Sequence, residues 1–146
     1  MDRRFARSVI AVIVLGAVGG CTSTTQTTTN DPQGLLAGTG WQLQMLGASR
    51  ALAAAQPTLE FARPDKVSGS GSCNRFNGSV TVAGKSITFG PLASTRMACA
   101  EAVNQQESLI FKALAQAEWF TIGGTALTIY TKAIDEPLVF VRTDPQ

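Results

Sequence analysis

Gly40-Trp-Gln-Leu-Gln-Met-Leu-Gly47 alternates apolar and polar residues, so Trp41, Leu43 and Met45 share one face. A period of two predicts a half-buried strand. Thr58-Leu-Glu-Phe-Ala-Arg63 repeats it through Leu59 and Phe61, and Pro64-Asp65 marks the turn that follows. Val67–Cys73 reads as a further strand, in which Gly69 and Gly71 suggest a bulge or a close backbone approach. Ser79-Val-Thr-Val and Ser86-Ile-Thr-Phe flank Ala83-Gly84-Lys85, the pattern of a hairpin.

The period changes after residue 97. Ala98–Gln116 is rich in Ala, Glu, Gln and Leu and lacks Gly and Pro. Val103, Glu107, Ile110, Phe111 and Leu114 fall on one face of a helix there. Three more strand patterns follow: Trp119-Phe-Thr-Ile, Ala126–Thr131 after the Gly123-Gly124 turn, and Pro137–Arg142. The last two pair as a hairpin across Ala133–Glu136. The fold class is α+β: a strongly curved, mostly antiparallel sheet, cracked-barrel-like, with one helix packed on or in it.

The N-terminal pattern is of another kind. Arg3, Arg4 and Arg7 precede a short apolar run from Ser8 to Val18, which ends at Gly19-Gly20-Cys21. A basic start, an apolar stretch and small residues at the exit describe a secretory signal. Cys21 directly after the small pair resembles a bacterial lipobox, although Val18 stands where leucine is commonest. On that reading residues 1–20 are removed and Cys21 carries lipid. Residues 21–38, largely small and polar, form a disordered tether, and the folded domain spans 39–143. Thr22 is not the Asp that retains enteric lipoproteins in the inner membrane, so the expected location is the outer membrane, facing the periplasm.

Charge then becomes informative. The formal net charge is +2, and residues 1–20 carry all of it. The remainder is near neutral and offers no basic stripe for a nucleic-acid backbone. With Cys21 assigned to lipid, Cys73 and Cys99 form an even pair in an oxidising compartment, where a disulfide is expected. Two buried free thiols are the alternative. The chain has no His, and two thiols are too few for a closed zinc site, so neither metal nor cofactor is expected.

Gly69-Ser-Gly-Ser-Cys-Asn-Arg-Phe-Asn-Gly78 resembles the glycine-rich G-x-x-x-C-N-x-F-x-G block of the META domain, or HslJ-like, family. Phe89-Gly-Pro-Leu-Ala-Ser-Thr-Arg-Met-Ala-Cys99 resembles that family's second block. Glu107, Phe111 and Leu114 fit the helix after it, and Gly40-Trp41 fits the opening strand. The resemblance covers about residues 39–142. It implies an envelope or secreted bacterial protein, often a lipoprotein, with members connected to drug tolerance, virulence and secretion. It also implies a fold similar to a cracked-barrel secretin pilot that binds lipid. It supplies no catalytic mechanism.

Asn74, Arg75, Phe76 and Asn77 form the densest polar-aromatic cluster. They are a candidate recognition loop, with a plain turn as the bland alternative, Gly78 supplying positive φ. Ser94 or Thr95 is placed to cap the helix. Arg96 is expected to form a structural ion pair with Glu107 or with Glu101, and Glu107, on the apolar helix face, also reads as a buried, hydrogen-bonded acid. Catalysis has little support. There is no His to activate a nucleophile, and a Ser-Lys dyad using Lys66 or Lys85 has no motif to select it. The expected function is therefore non-enzymatic: an envelope lipoprotein in stress tolerance that binds a partner protein or a hydrophobic ligand. A lipid-binding pilot for a secretion component is the second reading and a Ser-Lys hydrolase the third.

Overall fold

The computed structural model describes residues 32–143. The expected leader at 1–20, the lipidation site Cys21 and the tether as far as residue 31 lie outside the described residues. Ten strands and two helices follow one another: α1 (Pro32–Leu36), β1 (Thr39–Leu46), β2 (Ser49–Arg50), β3 (Thr58–Arg63), β4 (Lys66–Ser70), β5 (Arg75–Ala83), β6 (Ser86–Phe89), β7 (Ala93–Ser94), α2 (Glu101–Ala115), β8 (Ala117–Gly123), β9 (Ala126–Thr131) and β10 (Leu138–Thr143).

The sheet is antiparallel in the order β10-β9-β8-β6-β5-β4-β3-β1-β2. It does not stay open. β1 also pairs with β10, from Gly40 opposite Thr143 to Leu46 opposite Leu138. Eight strands therefore form a closed barrel, a correction to the cracked barrel that the sequence suggests. The seam between β6 and β8 is the thinnest. It carries the single register pair Ser86 and Trp119, with Phe120 N–H donating to the Lys85 carbonyl at 2.9 Å.

The alternation read in the sequence fills the interior. Trp41, Leu43, Leu59, Phe61, Ile87, Leu127, Ile129 and Phe140 point inward and are almost fully buried. A barrel of eight strands is just wide enough for side chains to fill. α2 lies across one mouth. Its Ile110, Ala113 and Leu114 join the barrel core, and Thr131 at the end of β9 donates to the Ala113 carbonyl at 2.8 Å.

At the other mouth sits α1, where the sequence alone suggests tether. Leu36 is 2% exposed and belongs to the core. Thr39 Oγ1 donates to the Leu36 carbonyl at 2.5 Å, and Trp41 Nε1 donates to Thr39 Oγ1 at 2.6 Å. The polar composition of residues 22–33 hides the one leucine that plugs this end.

Two further expectations change. β5 begins at Arg75 rather than Ser79, so the supposed recognition loop is mostly strand. Phe76 points inward between exposed Arg75 and Asn77, which continues the two-residue period of Val80 and Val82. Neither Ser94 nor Thr95 caps α2. The N-cap is Ala100 with no side-chain bond, while Ser94 pairs with Phe76 in the sheet.

Candidate functional site

The most densely bonded polar group in the structure joins the β4–β5 turn, the segment before α2 and the middle of α2. It begins with a backbone turn. Gly71 N–H donates to the Asn74 carbonyl at 2.8 Å, and Ser72 lies at φ 127°, a region that non-glycine residues rarely adopt. The turn aims successive N–H groups at the helix. Cys73 N–H and Asn74 N–H both donate to Glu107 Oε2, at 3.0 and 2.6 Å, and Asn74 Nδ2 donates to Oε1 at 2.6 Å. Glu107 is 8% exposed and Asn74 6%. A buried carboxylate is stable when its lone pairs are taken by donors, and here amide N–H groups supply them.

The expected Arg96–Glu107 ion pair is thus absent. Both carboxylate oxygens are occupied by amide donors in a buried place that Arg96, exposed on the segment before α2, does not share. Among the described residues the ion pair is Lys132–Glu118, at 2.7 Å. It lies in solvent, and hydrogen bonding and charge attraction to Glu118 hold the Lys132 ammonium above its ordinary pKa.

Asn74 Oδ1 works in the other direction. It accepts from Thr95 Oγ1 at 2.9 Å and from Met97 N–H at 2.7 Å, binding the segment before α2 to the turn. The Cys73–Cys99 disulfide joins the same two segments, with Cα atoms 6.0 Å apart. Cys73 is buried, whereas Cys99 is exposed. Gln106, one residue before Glu107, binds the neighbouring loop: it accepts from Leu52 N–H at 2.8 Å and donates to the Ala55 carbonyl at 2.9 Å and Ser72 Oγ at 2.8 Å.

Glycines make this geometry possible. A Cβ on Gly71 would lie 2.7 Å from the Phe111 ring and 2.9 Å from Glu107 Oε2. Gly78, expected to supply positive φ, is extended strand instead. Its missing side chain makes room for Leu92, which a Cβ would approach to 2.6 Å. Phe76 meets Phe111 edge to face at 5.5 Å, which adds an aromatic contact under the knot.

Outside the knot, β4, β5 and β7 form a shallow groove of about 450 Å3, whose walls include Ser68, Arg75, Asn77, Ser94 and Thr95. A second depression of about 440 Å3 continues it past Glu60 and Lys66, sharing Ser68 and Asn77. The structure thus divides the four candidate recognition residues. Asn74 and Phe76 turn inward and hold the fold, whereas Arg75 and Asn77 are exposed on an open polar surface. Lys66 and Lys85 are exposed, at the start of β4 and in the β5–β6 turn. Sequence reasoning misses Gln106 as a network member and gives Thr95 the role of helix cap, whereas it bonds Asn74. Gln106 is a polar residue in a segment otherwise read for its apolar face.

The residues that meet Glu107 of α2 in this knot come from the two sequence blocks, and comparison with known proteins agrees. The META domain family model matches residues 34–145. No curated protein matches the chain. A solution structure of a protein from Burkholderia xenovorans is similar, with a TM-score of 0.62 and 26% identity over 77% of this chain and 87% of that one. Another solution structure gives a TM-score of 0.65 and 25% identity, covering 77% of this chain and 95% of its own. With its Cys73–Cys99 pair, helix and glycine-rich turn all inside the matched span, the chain belongs to the META domain family.

Proposed function

We propose that this protein is a lipid-anchored envelope protein that acts by binding, through the outer surface of its barrel, and not by turnover. The observation that carries the reading is the filled interior. Trp41, Phe61, Phe140 and the α2 residues Ile110 and Leu114 occupy the space between helix and sheet that a lipid-binding pilot would need for its ligand. Contact with a partner then falls to the outside of the barrel.

The anchor rests on the N-terminal pattern ending at Cys21, and the Cys73–Cys99 bridge suits an oxidising compartment. The absence of His, and the separation of Lys66 and Lys85 from the polar knot, favour a binding role over hydrolysis. A role in envelope stress tolerance follows from the family resemblance.

Intact mass of the protein extracted from a membrane fraction tests this directly. A triacylated species starting at Cys21, with two thiols released only by reduction, is the expected result. An unmodified soluble species with free thiols overturns the envelope assignment.

A further inference from the structure

We infer that the outer face of β8 and β9 is a glycan-docking platform centred on Trp119, and that its ligand is a β-linked N-acetylhexosamine strand. Trp119 is 39% exposed although it lies in a regular strand. Its ring stacks face to face on Tyr130, with centroids 3.5 Å apart and planes within 5°. The two rings therefore stand up from the sheet side by side.

A β-bulge puts them there. Ala117 pairs with Thr131 and Trp119 with Tyr130, so Glu118 is an extra residue. Without it Trp119 would lie opposite Ile129, which points into the core. The bulge turns Trp119 outward and brings Phe120 inward in its place. Bulges that re-aim a side chain concentrate at functional positions.

The stack leaves one indole face open. Tyr130 covers the face toward β9. On the β6 side the register partner is Ser86, an exposed residue too short to cover a ring. Around the rings the same outer face carries hydroxyls: Thr88 on β6, Thr121 on β8 and Thr128 on β9. Glu118 and Lys132 neutralise each other beside it, and Lys85 borders it at the β5–β6 turn.

This chemistry selects the ligand. An apolar protein partner needs a contiguous apolar patch, whereas here one aromatic ridge rises from a hydroxyl-rich surface. A pyranose has an apolar face of C–H groups that packs on an aromatic ring and an equatorial belt of hydroxyls that bond to neighbouring side chains. The choice of the N-acetylhexosamine strand among glycans rests on the proposed envelope location, where the cell-wall glycan is the polymer within reach.

Binding is read from the two indole N–H signals in an NMR titration of the chain from residue 21, carrying Cys21→Ser, with tetra-N-acetylchitotetraose. Trp41, fully buried with its N–H bonded to Thr39, is an internal reference. The expected result is a saturable shift of the Trp119 signal alone. Trp119→Ala weakens binding at least about tenfold, and Trp119→Phe, which keeps an aromatic face, retains part of it. An unmoved Trp119 signal, or undiminished binding by a folded Trp119→Ala chain, overturns the platform. Preference for maltotetraose overturns the choice of strand. None of these outcomes depends on acylation of Cys21, so the platform and the anchor can fail separately.

Discussion

Replacing Glu107 with Gln removes a single proton acceptor from the knot and leaves its shape unchanged. Glu107 receives three N–H donors, two on Oε2 and one on Oε1. A glutamine can offer its one carbonyl oxygen to the two backbone donors. Its NH2 then faces Asn74 Nδ2, donor against donor. Asn74 cannot flip to relieve this, because its Oδ1 already holds Thr95 Oγ1 and Met97 N–H. The variant loses one charge-assisted bond, which contributes about 1.5–3 kcal/mol, and the two others become neutral and weaker. A loss of about 3 kcal/mol follows, or a fall in Tm of about 12 °C for a domain of this size. Asn74→Asp sets two carboxylates face to face and costs at least as much. The double variant Glu107→Gln, Asn74→Asp exchanges the polarity. The introduced glutamine amide then donates to the new carboxylate, which still accepts from Thr95 and Met97, and the net charge is unchanged. It should recover about 2 kcal/mol relative to the sum of the singles. Urea unfolding of all four chains measures the cycle. A Glu107→Gln loss under about 0.5 kcal/mol, or a double variant no better than additive, would refute the assigned bond directions.

Cys73→Ala and Cys99→Ala should each cost about 3.5 kcal/mol, the chain-entropy estimate for a bridge with a sequence separation of 26. The double variant should be no worse than either, and additive losses in non-reducing urea titrations would show independent thiols. Gly69→Ala should cost about 3 kcal/mol or more, because its Cβ would sit 2.0 Å from the Thr58 carbonyl oxygen; a near-normal Tm would contradict that contact. Leu36→Ala, which removes the buried side chain that α1 adds to the core, should cost about 2–4 kcal/mol. A change below about 1 kcal/mol would return residues 32–38 to the tether.

What is legible in the sequence follows the range of the interaction. The strands around Trp41, Leu59, Ile87 and Ile129 show their two-residue period locally, and so does the helix face holding Ile110 and Leu114. Closure is not local. β1 and β10 are the first and last long strands, and nothing in either sequence announces that they meet. The stretch Asn74–Gly78 misleads because Asn and Gly are turn formers. Gly78 is there because Leu92 presses on it, and Phe76 carries the strand period through the motif. Arg96 looks like the partner of Glu107 because it is the nearest cation before the helix. A buried carboxylate is better matched by fixed amides, and those come from a turn whose geometry depends on Ser72 at positive φ. Trp119 reads as part of a strand without a face, because the bulge at Glu118 shifts the parity by one residue.

The arrangement of the two ends gives the proposed anchor a direction. The loops at Leu52 and Ser72–Asn74 and the end of β9 at Thr131, which α2 bonds, lie at one mouth. α1 enters at the opposite mouth, tied to β1 and β3 by Thr39 Oγ1 and by Gly38 N–H donating to the Phe61 carbonyl. A chain held at Cys21 reaches at most about 3.5 Å per residue before α1 begins. On the proposed anchor, the tether joins the domain at the α1 mouth, and the disulfide knot lies at the opposite one. The polar groove at Arg75 lies near the distal end, and the aromatic platform at Trp119 lies on the side wall. Binding by either surface is compatible with the proposed anchor, and neither mouth is open to a ligand. Leu36 closes the proximal one and α2 the distal one.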